Sequence, residues 1–217
     1  MILAIESSTP HASLALLDES SGEMVLERTF SSDRAHNSVI FEPLREMLAT
    51  LGDRPLSGIV QGTGPGSYSG VRVGIAVASA LGLARACPVV GLPSIAVLAR
   101  DALVVGDARR QSFYTAEVRG HRLKGEPELW SAEAFSARIA STEWPVLTSD
   151  TAAPAGSGAR VVIPRAVDLA RLAAGLTAQE WSALASIPLE PLYLRAPYIT
   201  TPNPVPRGAP ARTPPVS

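Results

Sequence analysis

Lysine is almost missing from this 217-residue chain: Lys124 stands alone beside eighteen arginines. Schiff-base and P-loop chemistry both need an amine in a particular motif, so this deficit removes most of both. Cysteine is equally scarce. Cys87 alone cannot form an intrachain disulfide, which fits a reducing compartment. Excess charge of either sign is also lacking, with a formal net charge of −1. Binding nucleic acid unaided depends on phosphate neutralisation, so a near-neutral chain argues against it. No apolar run reaches about 18 residues without a charge, so no membrane span is expected. The first twenty residues lack a basic n-region and carry Glu6, so no signal peptide and a cytoplasmic location are expected. The three histidines, His11, His36 and His121, have no metal-ligand spacing, and no metal site is expected. What is plentiful is Ala, Gly, Pro and Arg together, the signature of a GC-rich genome. Apolar residues make up 46% of the chain, enough for a core in one domain or two small lobes.

Short apolar runs at Ile2–Glu6, Ala12–Leu17 and Met24–Phe30, split by polar turns, predict an antiparallel meander. Ile40, Leu44, Met47, Leu48 and Leu51 recur at helical spacing and predict a helix over about Ala35–Leu51. Pro43 either lies in the first turn of a later-starting helix or kinks a longer one. A strand at Ile59–Gln61 leads through the loop Gly62–Gly70 into a helix over Val71–Ala84. That helix is apolar nearly all round, and Gly74, Ala78 and Gly82 form a small-residue stripe that would admit another helix. A strand at Pro88–Gly91 and a helix at Ser94–Leu103 complete a βαβα pattern, which implies parallel pairing. Beyond it, strands are expected at Gln111–Val118, Arg122–Trp130, Pro145–Ser149 and Arg160–Pro164. Helices are expected at Ser131–Ser141 and Ala166–Gly175, with a capping box at Thr177 and Glu180 opening another. Pro191–Arg195 reads as extended. The Pro-rich stretch from 197 has almost no core formers and is expected to be disordered.

The loop Gly62–Gly70 is the most informative chemical feature. It joins a strand to a helix start, where an anion is favoured. Val71, not lysine, stands directly after Gly70, so this is not a Walker A loop, and GTGPGS fails the GxGxxG pattern at its last position. Tyr68 stands where a nucleophile elbow would need serine. The competing reading is tight turning and close helix packing. Glu6 ends a strand beside hydroxyls and could approach a metal-bound phosphate or simply be solvated. Arg109, Arg110, Arg119, His121, Arg122 and Lys124 form a local basic stretch, read as an RNA contact or a solvated turn. Catalytic pairs are few, and apolar helical surface is abundant.

The runs ILAIESSTPHASLALL, AHNSVIFEPLREML, GTGPGSYSGVRVGIAVASALGLA and GLPSIAVLA resemble the TsaB (YeaZ) family of tRNA threonylcarbamoyladenosine biosynthesis subunits. GPGSYSGVRVG is the most specific piece. The likeness is strong over residues 1–100, fair to 119 and thin to 195. It implies an α/β, actin-like ATPase (ASKHA, ribonuclease H-like) fold with two small lobes of mixed sheets flanked by helices. The lobes expected are 1–100 and 101–196, followed by a Pro-rich tail at 197–217. The family implies a non-catalytic dimerisation subunit that activates a TsaD-like partner in making N6-threonylcarbamoyladenosine on ANN-decoding tRNAs. A TsaE-like ATPase would join the pair, tRNA would be met through the complex, and the chain alone would self-associate as a homodimer. The catalytic relative carries a histidine pair on the helix that corresponds to Ser94–Ala99, and neither histidine is present here. Superfamily ATPases carry aspartate where this chain has Glu6. No cofactor is therefore expected on this chain, although the whole complex would use ATP.

The expected partner surface comprises His36, Ile40, Leu44, Met47, Val71, Gly74, Ile75, Ala78 and Leu81. Gly64, Pro65, Gly66 and Gly70 are expected to shape the Gly-rich loop. A charge at Ala78 or Gly74 would then disrupt a packed interface. The alternative is an actin-like ATP-binding phosphotransferase or ATPase, motivated by the Glu6–Thr9 turn and the Gly64–Gly70 loop. A metallopeptidase reading lacks its ligating histidines.

Overall fold

Apolar runs too short for helices open the chain as strands, and both of their faces need cover. The computed structural model describes residues 1–31 and 37–195. In it β1 (Ile2–Glu6), β2 (His11–Leu17) and β3 (Met24–Ser31) form the expected antiparallel meander. A 3-10 turn at Asn37–Ile40 leads into α1 (Phe41–Leu51). Pro43 falls in its first turn, where a missing N–H costs little, so the later-starting helix is the one formed. Then β4 (Gly58–Gly62) pairs in parallel with β1. Next come α2 (Tyr68–Arg85) and β5 (Val89–Leu92), which is parallel to β4. The sheet order is β3-β2-β1-β4-β5. Ser67 caps α2, its Oγ accepting from the Gly70 N–H at 3.3 Å. One face of the sheet, with Leu3, Ile5, Leu14 and Leu16, packs on Met47 and Leu51 of α1 and Ala78 of α2.

The expected helix over Ser94–Leu103 is not formed. A single 3-10 turn occupies Ser94–Val97, and the chain then enters β6 (Ala102–Asp107). Residues Ala102–Val105 are fully buried, with β7 (Ser112–Arg119) on one side and β10 (Val146–Thr148) on the other. A run of apolar residues buried on both faces has no alternation to distinguish it from a helix. Between β7 and β10 lie β8 (Arg122–Leu123), β9 (Glu128–Ser131) and α3 (Ala132–Ala140), the last capped by Ser131. A short β11 (Arg160–Val161) completes the order β11-β10-β6-β7-β8, with β9 also on β7.

The chain then returns to the first sheet. Division at residue 100 would put α4 (Ala166–Ala174) and α5 (Ala178–Ala185) in the second lobe. Instead Ala166, Leu169, Ala170 and Ala173 of α4 pack on Ile2, Ala4, Ala15 and Leu17. The Ala166 N–H donates to Ser13 Oγ at 2.9 Å, and Arg165 pairs with Glu27 of β3. Trp181 of α5 lies against Gly58 and donates from Nε1 to the Ala173 carbonyl at 3.0 Å. The capping box is present: the Glu180 N–H donates to Thr177 Oγ1 at 3.2 Å, and the Thr177 N–H donates to Glu180 Oε2 at 2.8 Å. Residues Pro191–Arg195 form no strand, though the Leu192 N–H donates to the Thr63 carbonyl at 2.8 Å. The stretch 197–217 lies outside the described residues. Among the described residues no helix is long and apolar enough to cross a membrane.

Candidate functional site

Parallel pairing of β1 with β4 puts the turn after β1 beside the loop after β4. The two are joined directly. The Ser67 N–H donates to the Ser8 carbonyl at 2.6 Å, and Ser7 Oγ donates to the Gly70 carbonyl at 3.0 Å. A methyl group built on Gly66 would lie 2.1 Å from the Ser8 carbonyl oxygen, and one on Gly70 would lie 2.2 Å from that of Ser7. At these two positions the backbones touch, and no side chain fits between them. Gly64 and Pro65 are buried behind this seam, and Gly64 exchanges hydrogen bonds with Ser94 through Ser94 Oγ (2.9 Å) and the Ser94 N–H (2.8 Å). Of the two readings of the Gly-rich loop, the geometry matches close packing.

Glu6 points into the protein. It is fully buried, and its Oε1 accepts from the Ser8 N–H at 2.6 Å. Its Oε2 has no hydrogen-bond partner and lies over Gly62 beside Ser94 Oγ. Burial pushes the carboxyl above its ordinary value, against the pull of the surrounding hydroxyl and N–H groups. Glu6 is therefore not a solvated strand end, and it does not reach toward an open cleft. Between the ordinary and the raised value, the folded chain holds a proton that the unfolded chain has released. Its contribution to stability falls as pH rises through that window, by at most about 1.4 kcal/mol per pH unit. Glu6→Gln is expected to remove that contribution from the slope measured in urea titrations run at several pH values. An unchanged slope would mean that Glu6 is ionised when folded.

The second lobe presents its own turn, between β6 and β7. Arg109, Arg110 and Gln111 are consecutive left-handed residues, with φ of 65°, 54° and 59°. Asp107 holds the turn through Oδ1, accepting from the Arg109 N–H at 2.7 Å, while the Asp107 N–H donates to Asp150 Oδ2 at 2.8 Å. Burial raises the Asp150 carboxyl, with the neighbouring Asp107 charge acting in the same direction. The basic stretch is divided by this geometry. Arg109 and Arg110 lie at one end of β7, and Arg119 to Lys124 lie at the other. Arg119 stacks on Trp144, its guanidinium 3.9 Å from the ring centre, and pairs with Glu117, while Arg122 pairs with Glu180. These pairings match the solvated-turn reading rather than a phosphate-binding patch. His121 Nδ1 lies 2.9 Å from the Ala96 carbonyl, and His11 opens β2. Among the described residues no three His, Cys, Asp or Glu side chains gather as a metal site would require.

The residues expected to meet a partner have a different immediate task. Ile40, Leu44, Met47 and Ala78 are buried in the core under α1 and α2, and Val71 and Gly74 are buried as well. Leu81 is half-buried on that core, Ile75 is half-buried, and His36 lies outside the described residues. The small stripe faces the sheet, not a second helix. A methyl on Gly74 would meet Ser7 Oγ at 2.5 Å and Gln61 Oε1 at 2.6 Å, and one on Gly82 would meet Val89 at 2.2 Å. In a layered α/β lobe the most apolar helix face belongs to the sheet. The outward face of α2 is formed instead by Arg72, Ala76, Ser79, Ala80 and Leu83, and Leu83 is 87% exposed. The i, i+4 series Arg72, Ala76, Ala80, opposite the glycines, is the signal in the sequence that locates this face.

The family model described as "TsaD: tRNA N6-adenosine threonylcarbamoyltransferase" matches residues 25–182. A tRNA threonylcarbamoyladenosine biosynthesis protein TsaB from Escherichia coli K12 is 26% identical, over 89% of this chain and 94% of its own. An uncharacterized Mycobacterium tuberculosis H37Rv protein is 31% identical, over 90% and 92%. Among solved structures, a Pseudomonas aeruginosa protein with similarity to peptidase YEAZ superposes with a TM-score of 0.66. It is 25% identical, over 89% of this chain and 99% of its own. The two helix-flanked mixed sheets are those of an actin-like, ribonuclease H-like fold, and the chain belongs to the TsaB/YeaZ family.

Proposed function

We propose that this chain is a scaffold subunit in the formation of N6-threonylcarbamoyladenosine on tRNA, activating a TsaD-like catalytic partner by dimerising with it. A TsaE-like ATPase joins this pair, and tRNA reaches it through the complex. Membership of the family supports a part in threonylcarbamoyladenosine biosynthesis. The observation that carries the scaffold role is the outward face of α2. Its inner face is fully used by the sheet, yet Ala76, Ala80 and Leu83 present apolar surface to solvent. Small residues there let a second helix approach closely, and Leu83 supplies the anchor. The same surface would let the chain self-associate when alone. Ser94–Val97, where the catalytic relative carries its histidines, is a buried or half-buried turn without a ligating side chain. The ATP-binding alternative has no comparable support, because the loop that would receive phosphate lies directly against the β1–β2 turn.

The test is Leu83→Arg, a substitution at a site 87% exposed. It should leave the fold intact by circular dichroism and weaken binding to the TsaD-like protein at least about 100-fold, since it puts an unpaired charge at the centre of an apolar contact. Titration with the partner and mass spectrometry of modified tRNA read the two consequences. An undiminished complex with wild-type levels of modification would overturn the proposal.

A further inference from the structure

A cleft of about 160 Å³ opens at the start of α2, between the Gly-rich loop and the last described residues of the chain. Thr63 and Pro65 wall it on one side, and Pro191 and Leu192 on the other. Tyr68 and Tyr193 together form one rim, their rings in contact with centres 5.8 Å apart. No lining residue carries a charge. A cavity of about 150 Å³ accepts a benzene ring, so this one has room for a single branched apolar side chain.

The same helix holds such a side chain out in solvent. Leu83, 87% exposed, is the most exposed large apolar residue among those described. It shares the outward stripe of α2 with Tyr68, Arg72, Ala76 and Ala80. Knob and cleft stand at opposite ends of that helix, about 22 Å apart along its axis, so neither meets the other within one chain. A second copy brings them together. When two α2 helices pack antiparallel about a twofold axis beside Ala76, Leu83 of each copy faces Tyr68 of the other. Both clefts then fill at once, because a twofold interface uses one patch twice. The centre of the stripe permits close approach, since Ala76, Ser79 and Ala80 are small and exposed. Arg72 is folded back on Tyr68, its guanidinium 5.2 Å from the ring centre and its Nη1 donating to the Tyr68 hydroxyl at 3.1 Å. A parallel pairing would set Leu83 against Leu83 and leave both clefts empty.

We propose that the free chain forms a twofold dimer in which Leu83 of each copy fills the Tyr68–Tyr193 cleft of the other. This dimer rests on the same outward face of α2 that the scaffold reading uses. It adds a competition to that reading: the catalytic partner must displace the second copy, because both need Leu83.

The test is crosslinking of the chain alone. Cys87→Ser removes the one native thiol, and single cysteines are then placed at Ala76, Leu83 or Pro191. A short bismaleimide should join Ala76→Cys chains to each other, because they lie at the axis. Leu83→Cys chains should not join to each other, since the two positions are again about 22 Å apart. A mixture of Leu83→Cys and Pro191→Cys chains should give a crosslinked dimer. In sedimentation of the otherwise native chain, Leu83→Ala should raise the dimer Kd at least about tenfold. Leu83→Cys chains that join to each other would overturn the proposal in favour of a parallel pairing. A mixture that fails to crosslink, or a chain that stays monomeric throughout the concentration series, would also overturn it. Binding to the TsaD-like protein is read separately: a monomer that binds it sinks the dimer alone, and a dimer of this register that never yields to it sinks the scaffold reading alone.

Discussion

Gly70→Ala is expected to destabilise the chain by about 3 kcal/mol, the upper range for overpacking a well-filled site. Helix propensity alone predicts the opposite sign. Gly70 lies in the first turn of α2, and alanine in a helix ordinarily gains up to about 1 kcal/mol over glycine. The clash decides. The added methyl would stand 2.2 Å from the Ser7 carbonyl oxygen, a backbone atom that cannot rotate away. Relief requires the β1–β2 turn to part from the Gly-rich loop, losing the Ser7 Oγ bond to the Gly70 carbonyl and the Ser67 N–H bond to Ser8. For a chain of this size the cost corresponds to a Tm lower by roughly 6–12 °C, readable by calorimetry. Ser79→Ala, on the exposed side of the same helix, is the control and should change Tm little. A Gly70→Ala chain as stable as wild type would mean that the seam yields without cost.

Ala78→Arg and Ala80→Arg, two residues apart, should have opposite phenotypes. Ala78 is fully buried among Leu3, Ile5 and Met47, so an arginine there has neither room nor a partner for its charge. Loss of about 4 kcal/mol or more is expected, enough to abolish the folded state of a marginally stable chain. Ala80 faces solvent. Ala80→Arg should stay within about 0.5 kcal/mol of wild type while abolishing co-elution with the TsaD-like partner. Urea unfolding and size-exclusion chromatography together separate the two. A folded Ala78→Arg chain would show that α2 can rotate on its sheet.

The contrast marks how far the sequence was legible. The three-stranded meander, the helix opening at Ser131, the Thr177–Glu180 capping box and the parallel β4–α2–β5 unit all rest on local chemistry, and all are present. Misreadings arose where distant pairing decides. Ala102–Val105 is apolar without a clear period, and the strands on both sides of it select β6 over a helix. The return of α4 to β1 and β2 has no local marker, because Ala166–Ala174 is amphipathic whichever sheet it covers. Val71, Gly74 and Ala78 of α2, expected at a partner surface, lie buried under the helix for a related reason. Hydrophobicity reports that a face is buried, but not whether a sheet or a partner buries it. Glu6 shows a third limit, since a carboxylate between strand and serines reads as functional until its depth is known.

The late return of α4 has a consequence for synthesis. Ile2, Ala4, Ala15 and Leu17 leave the ribosome first, yet the helix that covers them lies some 150 residues further on. At translation rates of about 5–20 residues per second, that apolar sheet face stays open for roughly 8–30 seconds. The second lobe, whose sheet lies wholly within residues 102–161, can close on itself in that interval. The nascent first lobe, rather than the finished protein, is therefore where a chaperone would be needed, and a ribosome stalled before residue 166 would hold a half-covered sheet.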